Sequence, residues 1–585
     1  MLALRAPRAS VNPGTMDHER LLFHEGIQAL GTVVRSNFNE RVSTGERPLT
    51  ALRERIARHI ESHVEDRDAA GLLAALAVGA TGGMSREQWR VFNATGTTHL
   101  VAISGLHVTL FAVLMFAVAR RLWSALLWRW VRWNRESFAA VFGLAAATGY
   151  ALLAGLSIPT QRTLVMLAAW LLARCAARNT SPLQPMAVAL LAVSVLDPFA
   201  PLTAGFWLSF GAMGAIMLVT STRFTRRKTL HEAVVVQLAV TVILVPLTLA
   251  TFGSFSLVGP LVNAAAIPYM SWLLVPGVLL SVMLLPFSPW ASDQALAFVE
   301  RLHDWGWPWL AAAADSPFAL AYASPPPWWY ALAAFSVPLV FAPWPARVRL
   351  AMAICVLPLA AAGRSSPQEH ELEVTALDMG EGTAIVLRTA RHTLVYGVGE
   401  SYGTGGSRTE NVLVPFLRSR GVRLVDRLIV PRLTPITGEG VTALLAALPV
   451  QRASMNGVAS GDFDGAAACS PGESWDWDGV RFSILESCGL EALTEGARFQ
   501  LSAGLTHIAD SRGTSWAIVP GRAHRGKRRS AVARASGHVD HVLATGDLGA
   551  IRIDALSGGV TVTGLREEWP ALWRGPAAHA GSAPH

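Results

Sequence analysis

The fold of this chain is decided by Thr95–Val108, Thr-Gly-Thr-Thr-His-Leu-Val-Ala-Ile-Ser-Gly-Leu-His-Val, which leads into an apolar run ending at Arg120 and Arg121. A helix over 100–119 would be about 30 Å long at 1.5 Å per residue, which matches the hydrocarbon core of a bilayer. The sequence therefore predicts a membrane-spanning helix at this point.

The first half of that helix carries three polar side chains, His99, Ser104 and His107. Polar groups are costly inside a membrane, and by default they indicate a functional site. Ser104 and His107 are three residues apart and are expected on one helix face, while Gly105 permits the close approach of a second helix. Any one of the three side chains could simply form a hydrogen bond to a neighbouring helix. Three of them around a glycine favour a functional site.

The composition excludes an ordinary soluble protein. Of 585 residues, 52% are hydrophobic and only 15% are charged, whereas soluble domains carry about 25% charged residues. The net charge of +8 suits an anionic partner, either lipid head groups or nucleic acid, and does not choose between them. Four cysteines are too few for a disulfide scaffold, and they lack zinc-site spacing.

Further apolar stretches follow the first, and together they predict a polytopic α-helical membrane protein with about nine or ten spans. They cover 100–119, 138–155, 162–177, 185–197, 203–220, 232–251, 260–285, 328–343 and 349–362. A weaker, amphipathic candidate, 294–312, carries Glu300 and Asp304. Basic residues cluster in alternate loops, which predicts that those loops are cytoplasmic and that His99 lies near the outer face.

Two stretches carry a resemblance to a known family. Gly96–Val108 resembles the signature of the ComEC family, inner-membrane channels of natural DNA uptake, and Gly155–Met166, Gly-Leu-Ser-Ile-Pro-Thr-Gln-Arg-Thr-Leu-Val-Met, resembles its second signature. That second motif centres on Arg162 at a predicted helix start. Its guanidinium could pair with phosphate bidentately, or it could snorkel and anchor the helix end; both interpretations stay open.

The resemblance implies five regions. We expect a disordered start and a remnant of an oligonucleotide/oligosaccharide-binding (OB) barrel over 1–48, a soluble helical lead-in over 49–98, and a transmembrane channel over 99–362. An α/β domain resembling a metallo-β-lactamase fold follows over 363–565, and a disordered tail over 566–585. The resemblance leads us to expect an OB region that is truncated relative to the family, and because a barrel needs about five strands to close, we do not expect the remnant to be an independent binding module.

The metal-binding loop is where this chain departs from the family. The family's Ser-His-x-Asp-x-Asp-His-x-Gly-Gly corresponds here to Pro431–Gly440, with Arg432 and Thr437 at the histidine positions and Thr434 and Ile436 at the aspartate positions. These side chains cannot supply the ligands of a two-metal hydrolase. We therefore expect a folded, degenerate domain that binds no metal and no cofactor and performs no catalysis.

Two of the cysteines, Cys469 and Cys488, lie in this C-terminal domain. If the domain faces an oxidising compartment, we expect these two to pair, while Cys175 and Cys355 stay reduced in the lipid phase.

The function implied by the resemblance is a multi-pass inner-membrane channel for single-stranded DNA in natural transformation, and not an enzyme. Its translocation site would contain His99, Ser104, Gly105, His107, Gly155 and Arg162. Expected partners are single-stranded DNA, membrane lipid and other competence machinery, namely a DNA receptor and a cytoplasmic motor or single-strand-binding protein, since the chain has no P-loop. A homo-oligomer stays open.

Other classes of function compete with the channel. A decayed or accessory member of the family would no longer transport, and a transporter of another anion is a further alternative. A membrane metallohydrolase or nuclease would need the missing ligands. Ser104 with His107 as a nucleophile pair lacks a nearby orienting carboxylate.

Overall fold

The chain divides into two units in a computed structural model. The sheet unit comprises Met1–Ser36, Tyr322–Pro325 and Ala362–His585, and the helical unit comprises Asn37–Ala321 and Pro326–Ala361. The structure describes residues 2–33, 48–101, 103–127, 134–175, 183–223, 229–322, 336, 345–354, 367–380, 382–399, 407–457, 466–521, 539–556, 559–568 and 570–571.

The first residues of the chain form regular secondary structure. Strand β1 (Leu2–Arg5) pairs antiparallel with β2 (Leu30–Val33), and helix α1 (His18–His24) lies between them in sequence. β2 lies within the short apolar stretch Gly26–Val34. Beyond this two-stranded pair, the described residues show no further strand of an OB barrel in this segment.

The segment between β1 and α1 packs on the C-terminal part of the sheet unit through Asp378. The Asn12 side chain donates to the Asp378 carbonyl at 3.1 Å and accepts from the Asp378 backbone N–H at 2.7 Å. The Asp378 carboxylate accepts from the N–H of Val11 at 3.3 Å. Burial raises the pKa of Asp378 to about 6. These reciprocal bonds satisfy buried backbone groups, which explains why the segment is held.

The helical unit contains most of the helices of the chain. They are α2 (Pro48–His63), α3 (Arg67–Val78), α4 (Arg86–Ala94), α5 (Thr98–Val101), α6 (Gly105–Leu122), α7 (Arg135–Leu153), α8 (Ile158–Cys175), α9 (Leu183–Leu196), α10 (Ala204–Arg223), α11 (Thr229–Phe252), α12 (Gly259–Tyr269), α13 (Val275–Leu284), α14 (Pro289–Ala314) and α15 (Ala346–Ile354). Two short strands, β3 (Ser254–Ser256) and β4 (Leu320–Tyr322), are also present.

Four helices among the described residues are long and apolar enough to cross a membrane. They cover Gly105–Ala125, Arg135–Leu153, Val234–Phe252 and Gly259–Leu284. Their outward surfaces are rich in exposed large apolar side chains, which is typical of helices that face lipid.

The other predicted spans have mixed outcomes. α9 and the Ala204–Thr220 part of α10 are shorter apolar helices. The amphipathic candidate 294–312 is helical within α14, which is not among the four long apolar helices. Residues 328–343 lie almost entirely outside the described residues, as do 355–362.

Helix α3, within residues 49–98, packs into the core of the helical unit. All residues of α3 from Ala69 to Val78 are buried, and they share one core with Val108 of α6, Tyr150 of α7 and Val278 of α13. The Tyr150 hydroxyl donates to a carbonyl of α3 at 3.1 Å. A helix that is apolar on every side must be enclosed by others, and here α2 and the apolar helices enclose it.

The sheet unit is built on mixed sheets, as expected for an α/β domain. Its remaining elements are β5 (Leu372–Ala376), β6 (Ile385–Arg388), β7 (Thr393–Tyr396), α16 (Val414–Ser419), β8 (Val425–Val430), α17 (Pro435–Ala447), β9 (Val450–Met455), β10 (Ala466–Ala468), β11 (Ser474–Trp477), β12 (Val480–Ile484), β13 (Leu490–Leu493), β14 (Ala497–Ser502), β15 (Leu505–Asp510), β16 (Ser515–Val519), β17 (His541–Ala544), α18 (Thr545–Leu548), β18 (Ile551–Leu556), β19 (Gly559–Gly564) and α19 (Leu565–Glu568).

One sheet has eight strands in the order β10-β9-β8-β7-β6-β5-β18-β19, and the other has seven in the order β11 to β17. Strands β7 to β10 pair in parallel, and the rest of the first sheet is antiparallel. Alternate side chains of the first sheet pack into two different hydrophobic cores, one on each face of the sheet. Leu394 and Tyr396 of β7 pack with Phe482 and Phe499 of the second sheet, whereas Val395 packs with residues of α16 and α17, as the two-residue period of a strand requires.

The expected cysteine pair is present, because Cys469 and Cys488 form a disulfide. Their sequence separation of 19 residues corresponds to about 3 kcal/mol of stabilisation in the loop-entropy treatment.

We expect Cys469→Ser to lower the unfolding midpoint of the sheet unit, and thiol labelling of the unreduced wild type to reach only the other two cysteines. Free labelling of all four cysteines would contradict the pairing and its oxidising compartment.

Candidate functional site

The predicted continuous helix over 100–119 is interrupted, because α5 ends at Val101 and α6 begins at Gly105. Ser104 is the N-cap of α6: its Oγ accepts from the His107 backbone N–H at 3.4 Å, and its own N–H donates to His107 Nδ1 at 3.4 Å. This capping box satisfies the donors of a first helical turn and favours a start over a continuation. Ser104 and His107 are therefore adjacent as cap partners rather than as neighbours along one helix face.

The ring of His107 has one N–H donor that the capping box does not use. The ring is 1% exposed, and Nδ1 accepts from Ser104, so in the neutral imidazole the proton lies on Nε2. Nε2 is buried and has no hydrogen-bond partner among the described residues. A buried donor without an acceptor costs about 1–3 kcal/mol, which makes this position suited to a ligand that supplies an acceptor.

Gly105 allows α6 and α8 to approach closely, as the sequence predicts. Its Cα faces the Thr163 side chain, and a Cβ at position 105 would overlap Thr163 Oγ1. Thr163 was not singled out from the sequence, although it lies inside the second family motif. The contact brings the first turn of α6 beside the first turns of α8, where Arg162 is located.

Arg162 joins α8 to α10. Its Nη1 donates to the carbonyls of Gly205 at 2.6 Å and Phe206 at 3.0 Å, and its guanidinium lies 5.6 Å from the Phe210 ring centre. The residue is 1% exposed. The side chain therefore does not extend outward to the helix end, as a snorkelling arginine would, and part of its donor set is already used inside the protein.

His99 lies on α5 and is exposed, unlike His107. Its Nδ1 is 3.1 Å from the Gly96 carbonyl, to which Asn263 Nδ2 also donates at 3.4 Å. A carbonyl only accepts, so His99 Nδ1 carries a proton and Nε2 of the neutral ring is an acceptor. Asn263, which the sequence marks as a polar residue within an apolar stretch, thus fixes the loop before α5.

Gly155 has a structural explanation of its own. It follows α7 with φ of 79°, and a Cβ there would come within 2.8 Å of the Arg53 guanidinium. Arg53 in turn donates to the Val78 carbonyl from Nε at 3.2 Å and Nη2 at 3.0 Å. The nearest neighbours of Gly155 thus belong to α2 rather than to the start of α6.

Four of the six predicted site residues are therefore brought to neighbouring helix starts: Ser104, Gly105, His107 and Arg162. We call them, with Thr163, the α6–α8 cluster. His99 lies before it on α5, and Gly155 makes separate contacts. The cluster places an imidazole and a guanidinium, both buried, at the first turns of two adjacent apolar helices.

The degenerate loop of the sheet unit is used as a helix start. Thr434 is the N-cap of α17; its Oγ1 accepts from the Thr437 N–H at 3.2 Å, and Thr437 Oγ1 accepts from the Thr434 N–H at 2.8 Å. Arg432 and Ile436 are exposed. Thr434 and Thr437 thus satisfy backbone donors at the start of α17. Residues 522–529, a basic run, and His538 lie outside the described residues.

The apolar helices and the mixed sheets together define a membrane protein with an α/β C-terminal region. Residues 76–348 match the family model described as Competence protein. The chain is 32% identical over 512 residues to Competence protein ComA of Neisseria gonorrhoeae. The aligned residues cover 84% of this chain and 70% of that protein. It belongs to the competence protein family.

Two further relatives match over a similar length. Recombination protein 2 of Haemophilus influenzae is 28% identical over 524 residues, covering 83% of this chain and 65% of that protein. Uncharacterized protein YcaI of Escherichia coli is 25% identical over 504 residues, covering 82% of this chain and 63% of that protein. The chain spans about two thirds of the length of these relatives.

Proposed function

We propose that this protein is the inner-membrane channel through which single-stranded DNA reaches the cytoplasm during natural transformation. Membership of the competence family and the names of two relatives, Competence protein ComA and Recombination protein 2, support a role in DNA uptake. The long apolar helices support a multi-pass channel within the membrane.

The observation that carries the proposal is the α6–α8 cluster. A phosphate crossing a bilayer loses its hydration, which costs several kcal/mol per charge after relaxation, so it needs donors and positive charge on its path. Arg162 supplies a permanent cation, and the Nε2–H of His107 is a buried donor without an acceptor among the described residues. The exposed ring of His99 precedes them on α5.

The sheet unit has a different part in this proposal. We propose that it is a metallo-β-lactamase relative that has lost catalysis, which is supported by two layered sheets with helices against one of them and by the Thr434 cap in the ligand loop. The channel would then depend on a separate cytoplasmic motor, and on a receptor that delivers DNA to its outer side.

Deleting the gene tests the function directly. Cells that lack the protein should still bind labelled duplex DNA at their surface, but should deliver no labelled single strand to the cytoplasm. Complementation with the wild-type gene should restore delivery. Undiminished cytoplasmic label in the deletion strain would instead identify a decayed or accessory member of the family.

A further inference from the structure

The end of α2 and the first turn of α14 bring together three side chains that the proposed channel does not use. His59 and His63 are four residues apart on α2, and both face Asp293 of α14. His59 Nε2 lies 3.3 Å from Asp293 Oδ1, and His63 Nε2 lies 3.9 Å from the same oxygen. One ligand atom from each residue falls within 4.8 Å of the others.

The hydrogen bonds of His63 decide which of its nitrogens is available. Its Nδ1 is 2.8 Å from the His59 carbonyl, which only accepts, and 2.9 Å from Ser62 Oγ. Nδ1 therefore carries the proton, and Nε2 of the neutral ring presents a lone pair towards the carboxylate. Two acceptors that face each other need a donor or a cation between them, which can be a second ring proton, a bridging water molecule or a bound metal ion.

The hydrogen bond from His63 Nδ1 to a backbone carbonyl is also typical of metal-binding histidines. They almost always donate from the other ring nitrogen to a carbonyl or carboxylate, which fixes the tautomer and the ring orientation. His63 already has this contact before any ion is bound. Ser292 Oγ also lies beside the three side chains, at 3.4 Å from His59 Nε2.

The separations also fit a tetrahedral ion. With zinc-to-ligand distances of about 2.0–2.1 Å, two ligands of a tetrahedral site lie about 3.3 Å apart. The observed 3.3 Å and 3.9 Å need only a small side-chain adjustment to reach this value. The three side chains are 16%, 42% and 34% exposed, so an ion from solvent can reach them and keep a water molecule as its fourth ligand.

We propose that His59, His63 and Asp293 bind a zinc-class divalent ion that fastens α2 to α14. Two imidazoles and one carboxylate suit zinc rather than magnesium or calcium, which prefer oxygen ligands. The site lies in the helical unit and is separate from the degenerate loop of the sheet unit.

Cobalt binding to the purified full-length protein in detergent tests the site. After removal of metal with a chelator, titration with Co²⁺ should give one equivalent with the visible bands of a tetrahedral ion, and Zn²⁺ should displace it. In His59→Ala and His63→Ala, occupancy at the same free Co²⁺ should fall below about a tenth, since even loss of an outer-shell partner costs 10–100-fold in affinity.

Two control variants and two conservative site variants make the outcome decisive. His507→Ala with His541→Ala, in the sheet unit, and Arg432→Ala with Thr437→Ala, in the degenerate loop, should both bind like the wild type. His59→Gln and Asp293→Asn keep the local shape if the alanine variants misfold, and they should also lose the signal. No tetrahedral signal in the wild type, or a wild-type signal in the folded His59→Gln variant, would overturn the proposal.

Discussion

Arg162→Ala is expected to lower delivery of DNA to the cytoplasm by at least about 100-fold, because it removes a permanent cation from the proposed path of the phosphates, where each uncompensated charge costs several kcal/mol. The guanidinium is buried, and it donates to the Gly205 and Phe206 carbonyls at the first turn of α10. Arg162→Lys should recover only part, since an ammonium keeps the charge but loses the planar fork.

The measurement is transformation frequency together with quantitative blotting of the inserted protein. If Arg162 acts on passing phosphates, uptake per inserted protein molecule falls, over and above any loss of abundance that follows from the two lost hydrogen bonds. His99→Ala should behave in the same way, because its ring is exposed and its removal opens no core cavity.

Arg53→Ala is the matched control for this experiment. Arg53 also donates to a backbone carbonyl at a helix end, that of Val78, but it lies outside the α6–α8 cluster, so abundance and uptake should fall together. Normal transformation in the Arg162→Ala and His99→Ala strains would refute the assignment. Full rescue by Arg162→Lys, with uptake in Arg162→Ala proportional to abundance, would indicate a packing role alone.

Glu19→Ala is expected to destabilise the sheet unit by about 3–5 kcal/mol, the cost of leaving one member of a buried ion pair without its partner. Arg566 donates from Nη1 and Nη2 to the two carboxylate oxygens of Glu19 at 2.8 Å and 2.6 Å, and the two side chains are 1% and 2% exposed. Glu19 also accepts from the Ala9 N–H at 2.9 Å. The pair fastens the start of the chain to α19.

A second ion pair in the same unit supplies the control. Arg391 and Glu369 are 2.8 Å apart but 73% and 62% exposed, so Glu369→Ala should cost less than about 1 kcal/mol. Urea titration of the full chain, followed by limited proteolysis of the sheet unit, compares the two variants. Glu19→Ala combined with Arg566→Ala should recover part of the loss, because no unpaired charge remains. Equal stability of Glu19→Ala and Glu369→Ala would rule out the buried pair.

The pair shows where prediction from the local sequence ends. A disordered start and a disordered tail were predicted within 1–48 and over 566–585. Glu19 and Arg566 are close in space but far apart in sequence. No local pattern indicates such a partner, so the order of the described part of both termini could not be predicted.

The sequence by itself determined the features that depend on neighbouring residues. The apolar runs predict long helices because each carries its own hydrophobic surface. Ser85, followed three residues later by Gln88, is a local signal for a helix start, and the two residues form a capping box at α4. The alternation of β5 to β7 and the pairing of Cys469 with Cys488 were also predictable, since strand periodicity and cysteine chemistry act over short stretches.

The tertiary structure alone decided what each polar residue contacts. Ser104 and His107 share a cap instead of a helix face, Gly105 meets Thr163, and Arg162 bonds to the start of α10. His59 and His63 have a visible four-residue spacing, yet nothing in the sequence connects them to Asp293. A hydrogen bond or a metal site depends on distances of a few ångströms, and only the packing of distant helices sets those distances.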